Sequence, residues 1–317
     1  ALFCNMKPED IISNPDLKSV YEIPLVLHKQ LIDEKILKKL GLKNRKPNIG
    51  DWEKLVERIN SKKSKEVSIA IVGKYFGTGD YQLRDSYAAL LDAIDHASFN
   101  VGVSVKTKWI DAEKVERQGV EIIGNPDGLI VPIGWGERGA EGMIAAASYA
   151  REKKIPYLGL CYGMQLAVIG FARDILGWKD ADTAENSKFT KHPVIHLMPK
   201  QKEYMEKRSY GGTMRLGSWD AKVLKGTRSF EIYGKELTSE RHRHRYEFNN
   251  QYIKDFESHG LVISARSVEE NLVEIIELPE SKHPFYMGTQ GHPEYKSRPL
   301  KPHPLFLAFL QAASEVK

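Results

Sequence analysis

"PYLGLCYGMQLAV", residues 156–168, decides how the rest of the chain is read. An apolar run ends at Gly159, Leu160 and Cys161, and an amphipathic run starts at Tyr162, with Gly163 two residues past the cysteine. A short apolar stretch followed at once by helical spacing is a strand turning into a helix. Glycines at minus two and plus two give the G-x-C-x-G form of a nucleophile elbow, a tight turn that presents one side chain at the sheet's carboxyl edge. The helix N-terminus behind it favours a thiolate over a thiol. An isolated cysteine in an apolar stretch is more often packing material, so a nucleophile here needs partners elsewhere in the chain.

Working outward, the same alternation recurs. "VSIAIVG" (67–73) is an apolar run ending in glycine, followed by helical spacing in "DSYAALLDAIDHASF" (85–99). "VSVKTKWI" (103–110) reads as a strand, "DGLIVPIGWG" (127–136) as a strand running into a glycine turn, and "AEGMIAAASYAREKK" (140–154) as a helix ahead of the elbow strand. Strands buried on both faces and alternating with helices argue for a three-layer α/β fold, an open, mainly parallel sheet flanked by helices, with chemistry at the carboxyl ends of its strands. "LVISARS" (261–267), "LVEIIELP" (272–279) and "FYMGTQGHPE" (285–294) read as further, antiparallel strands, and "HPLFLAFLQAASEV" (303–316) as a closing helix. Toward the N-terminus, Pro24 to Leu40 reads as one helix stopped by Gly41. The polar "NSKKSKE" (60–66) reads as an exposed linker, which separates residues 1–60 from 61–317.

A cysteine nucleophile needs a base, and the base needs an orienting group. "GTQGHPEYKSRP" (288–299) supplies both: in an extended segment His292 and Glu294 lie on one side, and Pro293 stiffens the link. Glu294 can take one imidazole N–H and leave the other nitrogen for Cys161. Acyl transfer also needs donors for an oxyanion. The N–H of Tyr162 is one, and "PIGWGERG" (132–139) offers another, because glycines leave a backbone N–H unshielded. As a dinucleotide fingerprint GWGERG has the wrong spacing, and "VGKY" (72–75) is no P-loop. "RHRHR" (241–245) reads as an exposed basic strand, its interleaved arginines arguing against a metal held by His242 and His244. "GGTMRLG" (211–217) reads as a turn and strand.

The bulk numbers narrow the classes. With 41% hydrophobic residues the chain can bury a sizeable core. Its 47 Lys and Arg against 42 Asp and Glu leave +5, spread along the chain, too weak a charge to point to nucleic acid. Cys4 and Cys161 make no disulfide framework, and neither a bilayer-spanning apolar run nor a secretory pattern is present, so a reducing, cytoplasmic setting is expected. The opening "ALFCNM" (1–6) reads as the tail of a strand and as the continuation of a longer protein.

"GLCYGMQ" (159–165), "GTQGHPE" (288–294) and the glycine turn together resemble the class I glutamine amidotransferases, whose triad runs Cys, His, Glu. A finer resemblance, to the glutaminase half of the CTP synthase family, covers nearly the whole chain through "ALFCNM" (1–6), "VEIIGNPDGLIVP" (120–132), "ERGAEGMI" (137–144), "GWKDADTAE" (177–185), "GGTMRLG" (211–217), "ERHRHRYEFN" (240–249), "LVEIIELP" (272–279) and "RPLKPHPLF" (298–306). It implies a flavodoxin-like sheet and hydrolysis of L-glutamine to glutamate and ammonia. Cys161 would form a glutamyl thioester, His292 would act as base and acid, and Glu294 would orient it. Gly134, Tyr162, Gly163 and Met164 match the oxyanion and glutamine-contacting positions, and Gln165 a substrate contact. Glu185 matches the residue that meets the α-ammonium group, and Arg245 the one that holds the carboxylate. An amidoligase domain would use the ammonia, with ATP and Mg2+, to aminate UTP; Asn5 and Met6 match positions near its ATP adenine. GTP activation and a homotetramer are family expectations; in this half the resemblance implies neither cofactor nor metal, and no nucleic acid or membrane partner. The chain departs from the family pattern at Ile133, Trp135, Asn186 and Gly291, all beside the glutamine pocket. Two other readings are a freestanding cysteine hydrolase of this fold and a weakly active regulatory or assembly module.

Overall fold

A computed structural model describes residues 2–78, 81–82, 84–187, 189–198 and 214–315. They form two compact units, Ala1–Lys63 and Ser64–Lys317, parting inside the polar linker stretch. The first unit is helical, with α1 (Ile23–Lys29) and α2 (Ile32–Lys39) joined by a short turn and α3 (Gly50–Asn60) following an irregular stretch over 40–49. The single helix expected over 24–40 is two. Gln30 spends its side-chain amide on Ser13 and Val26, and Leu31 takes a left-handed φ of 56° that no helix continues through. Gly41, at φ +65°, does end the second helix. "ALFCNM" is not a strand tail: Leu2–Cys4 is a 3-10 turn and Phe3 is exposed, with no strand in this unit's described residues to pair with.

The second unit begins with β1 (Glu66–Gly73), a two-residue hairpin of β2 (Gly77–Thr78) and β3 (Tyr81–Gln82), α4 (Ala88–Val101), β4 (Ser104–Asp111) and α5 (Ala112–Gln118). Then come β5 (Gly128–Val131), α6 (Ala140–Lys153), β6 (Tyr157–Leu160), α7 (Tyr162–Asp174), β7 (Asp182–Thr183) and β8 (Pro193–Leu197). The chain continues through β9 (Arg215–Val223), α8 (Arg228–Tyr233), β10 (Leu237–His244), β11 (Tyr246–Phe248) and α9 (Ile253–Ser258). It closes with β12 (Val262–Ser267), β13 (Val273–Glu277), β14 (Tyr286–Thr289) and α10 (Pro304–Glu315).

The main sheet has the order β10-β9-β12-β13-β14-β6-β5-β1-β4. From β14 to β4 every pairing is parallel, and from β10 to β14 every pairing is antiparallel. β14 was expected among the antiparallel pieces; it joins the two halves, antiparallel to β13 and parallel to β6. The central strands show why the sheet sits between two helical layers. In β1, Ala70 and Val72 pack toward α5, α6, α7 and α9, while Ile69 and Ile71 pack toward α4, α8 and α10. A strand apolar on both faces is stable only when both are covered. A second sheet, β11-β8-β7, stands apart from the first; its strands went unseen in the sequence because β7 has two residues and β11 three.

Candidate active site

Four neighbouring parallel strands deliver the candidate residues at their carboxyl ends: β1 leads to Lys74, β5 to the 132–136 turn, β6 to Cys161 and β14 to Gln290 and His292. The elbow is a steric necessity. Cys161 sits at φ 53°, ψ −99° ahead of α7. A Cβ on Gly163 would lie 1.9 Å from the Val131 carbonyl oxygen, and one on Gly159 2.8 Å from Gly163 carbonyl carbon, so strand and helix approach this closely only as glycine. Tyr162 opens α7, and its N–H therefore has no partner within the helix. Gly163 and Met164 stand behind the cysteine, packed on Val131 and Gly288, and do not line the pocket.

His292 is fully buried. Its Nδ1–H donates to Glu294 Oε1 at 2.7 Å. Its Nε2 has no hydrogen-bond partner among the described residues and faces the Cys161 thiol. Burial works against the imidazolium, yet Glu294 and Cys161 outweigh it and hold the pKa well above the ordinary histidine value. Gln290 Nε2 donates to Cys161 Sγ at 3.5 Å, and Gln165 Nε2 donates to Gln290 Oε1 at 3.1 Å and to the Tyr246 carbonyl at 2.8 Å.

In front of the cysteine a pocket is lined by Gly134, Tyr162, Gln165, Glu185 and Arg245, all expected, and by Trp135, Met214, His244 and Tyr246. Glu185 follows β7 and Arg245 precedes β11, so the small sheet carries the acid and the base to one pocket. Burial raises the Glu185 pKa, while the Gly136 N–H, Lys74 and Arg245 pull it back. An acid and a guanidinium in one pocket can take a free amino acid by its two charged ends.

The glycine turn is clamped at successive peptides. Tyr87 Oη donates to the Ile133 carbonyl at 3.1 Å, Lys74 Nζ to the Trp135 carbonyl at 2.8 Å and the Gly136 carbonyl at 2.5 Å, and Tyr162 Oη to Gly136 at 2.8 Å. Glu185 Oε1 accepts from the Gly136 N–H. Burial lowers Lys74 to about 8, with Glu185 opposing it. At Gly134 a Cβ would crowd Tyr162 Cδ1 at 3.0 Å and Lys74 Cε at 3.2 Å. Ile133 does not have the positive φ that would strain it; the turn's positive φ falls on Gly136. Trp135 is held by the Arg243 guanidinium, 5.3 Å from its ring centroid. At Gly291 a Cβ would stand 2.6 Å from Glu240 Cβ, so this substitution lets β10 close in behind His292.

The "RHRHR" strand alternates: Arg241 and Arg243 are exposed, His242 and His244 buried. No group of three or more His, Cys, Asp or Glu among the described residues could hold a metal. Asn5 and Met6 are exposed in the first unit. Of "GGTMRLG", Gly211 to Thr213 lie outside the described residues, and Arg215 to Gly217 begin β9. Lys74 and Gln290 were missed; the only signal for Lys74 was a basic residue directly after an apolar strand.

A cysteine at a strand-to-helix elbow, with a His–Glu pair on the adjacent strand of an α/β sheet, defines a class of amide-cleaving proteins. Residues 82–312 match the family model "Glutamine amidotransferase class-I". The chain belongs to that family of glutamine-hydrolysing enzymes. Within it, the chain is similar in sequence to the glutaminase part of CTP synthases, spanning a little over half the length of the curated relatives it matches. Residues 1–42 match the model "CTP synthase N-terminus". It is 49% identical over its whole length to the CTP synthase of Caldanaerobacter subterraneus subsp. tengcongensis and 45% identical to that of Pyrococcus abyssi, spanning 57% of each. Among solved structures, the Trypanosoma brucei CTPS glutaminase domain with bound acivicin is 35% identical at a TM-score of 0.71, over 79% of this chain and 95% of that one. No helix among the described residues is long and apolar enough to cross a membrane.

Proposed function

We propose that the second unit hydrolyses L-glutamine at Cys161. The supporting observation is the buried Cys161, His292 and Glu294 set at the mouth of a pocket that holds Glu185 and Arg245. Arg245 takes the α-carboxylate and Glu185 the α-ammonium, which brings the side-chain amide carbon to Cys161 Sγ. The sulfur attacks that carbon with its proton held on His292 Nε2. The oxyanion is met by the Tyr162 N–H and by a backbone N–H of the 134–136 turn. As the C–N bond breaks, His292 gives its proton to the leaving nitrogen, releasing ammonia and leaving a glutamyl thioester. Water, deprotonated by His292, then cleaves the thioester to glutamate. Glu294 orients the imidazole throughout.

In the whole enzyme the ammonia would serve an amidoligase domain that aminates UTP to CTP with ATP and Mg2+, in a cytoplasmic homotetramer that GTP activates. None of that chemistry falls to the residues of this pocket, and Asn5 and Met6 are the positions near its adenine site.

Incubating the chain with a glutamine-mimicking diazoketone should label Cys161, read by peptide mass spectrometry, and free glutamine should block the labelling. Labelling elsewhere, or none, overturns the assignment. The clamp on the glycine turn has its own test. Lys74→Met keeps the apolar stem and removes both hydrogen bonds to the turn, and should lower glutaminase kcat by about 10- to 100-fold with a melting temperature close to wild type. An unchanged kcat would mean the turn holds its shape without the lysine.

A further inference from the structure

The inward face of β10 carries Thr238, Glu240, His242 and His244, all buried, and the reaction above uses none of them. Buried polar groups in a row are costly unless each is partnered. Glu240 turns to Tyr233 and His303. The two histidines enter a different line. His244 Nδ1 lies 2.9 Å from the Tyr246 carbonyl and His244 Nε2 3.1 Å from His242 Nδ1. His242 Nε2 faces Glu274 Oε2 at 3.4 Å, and Glu274 Oε1 meets Arg215 Nη2 at 2.6 Å. Every one of these side chains is at most 4% exposed.

The two ends are fixed in kind, because a carbonyl only accepts and a guanidinium only donates. His244 must therefore donate to Tyr246 through Nδ1. If it is neutral its Nε2 accepts, His242 Nδ1 donates, and His242 Nε2 is left as a lone pair facing a carboxylate oxygen. That last contact is attractive only with one more proton in the line, and placing it on Glu274, His242 or His244 gives the same count. Burial selects the home. It raises Glu274 to about 7, against the pull of Arg215, while burial and Arg215 together lower His244 to about 3 and His242 further still. A neutral acid at Glu274, turned to His242 and lying beside the Arg215 guanidinium, gives each contact along the two histidines one donor and one acceptor.

The other end of the line reaches the pocket. The Tyr246 carbonyl that takes the His244 proton also takes the Gln165 amide at 2.8 Å, and the Arg245 carbonyl next to it accepts from the Met198 N–H at 3.1 Å. We propose that Glu274 is a positioning residue for glutamine: through His242 and His244 it fixes the Tyr246 carbonyl, and with it the aim of Arg245 and Gln165 into the pocket. This rests on the reading of Arg245 as the carboxylate clamp.

Steady-state glutaminase kinetics on the full chain, with thermal melts, test it. Glu274→Ala should raise KM for glutamine about 10-fold with kcat within about 3-fold, the split expected when ground-state binding is lost. Glu274→Gln should restore KM to within about 2-fold, because an amide donates and accepts as the neutral acid does. His242→Phe, which cuts the line but fills the space, should match Glu274→Ala and stands in for it if that variant fails to fold. An unchanged KM in Glu274→Ala or His242→Phe overturns the proposal, and so does a Glu274→Gln as poor as the alanine variant, which would make the charge itself the requirement. Arg245→Ala separates the two levels. An unchanged KM there overturns the clamp reading, whereas sensitivity at 245 with none at 274 overturns only the positioning role.

Discussion

Cys161→Ser is expected to bind glutamine nearly as wild type does and to lose kcat by about 10,000-fold or more. The loss comes from the partner as much as from the sulfur. Burial disfavours the His292 imidazolium, but Glu294 and Cys161 overcome it and keep the ring's pKa well above the ordinary value. Serine takes away the Cys161 contribution and offers the ring an alcohol, whose proton is far harder to remove than a thiol's. Serine can take the same φ of 53° at the elbow, so the fold should persist, and an unchanged thermal melt beside the lost kcat would separate chemistry from stability. A serine variant within 10-fold of wild type would remove Cys161 from the reaction.

Glu294→Gln should lower kcat by about 1,000- to 10,000-fold, the cost seen when the acid that orients a catalytic histidine becomes an amide. Its carboxylate accepts from His292 Nδ1–H at 2.7 Å. A glutamine can instead donate to Nδ1, which puts the ring proton on Nε2, toward the sulfur it should relieve of a proton. The pH profile carries a sign. Glu294 is a cause of the raised His292 pKa, so the imidazolium of the variant is lost at lower pH and any limb that reports it moves down. Steady-state rates across pH check both statements. A variant with wild-type kcat would mean another group orients the ring.

The parallel half of the sheet was legible because its signal is local. A run such as "IAIVG", apolar at every position, has few alternatives when a helix follows, and the glycines on either side of Cys161 carry a steric demand readable at five residues' range. His292 and Glu294 were legible as a pair for the same reason. The joining of Cys161 to His292 was an inference over 131 positions, and it needed β14 to run parallel to β6, which no periodicity states. Lys74 was passed over because its role is tertiary: an ammonium that ends on two carbonyls of another strand's turn leaves no mark in its own neighbourhood. The small sheet under Glu185 and Arg245 was likewise illegible, its strands too short to show a period. The break at Leu31 follows from a distant serine claiming the Gln30 side chain, where helical spacing continued on either side.

The Cys161 N–H donates to the Thr289 carbonyl at 2.7 Å, within the ladder that joins β6 to β14. Attacking atom and proton carrier thus follow the ends of two paired neighbouring strands, and the His292 N–H is tied in turn to the Arg241 carbonyl at 2.8 Å. Any tuning of turnover must enter through softer parts, the side-chain-held loop at 133–136 or the walls that grip the amino acid, so inhibitory and stimulatory signals would alter how substrate is received while the chemistry stays permanently armed.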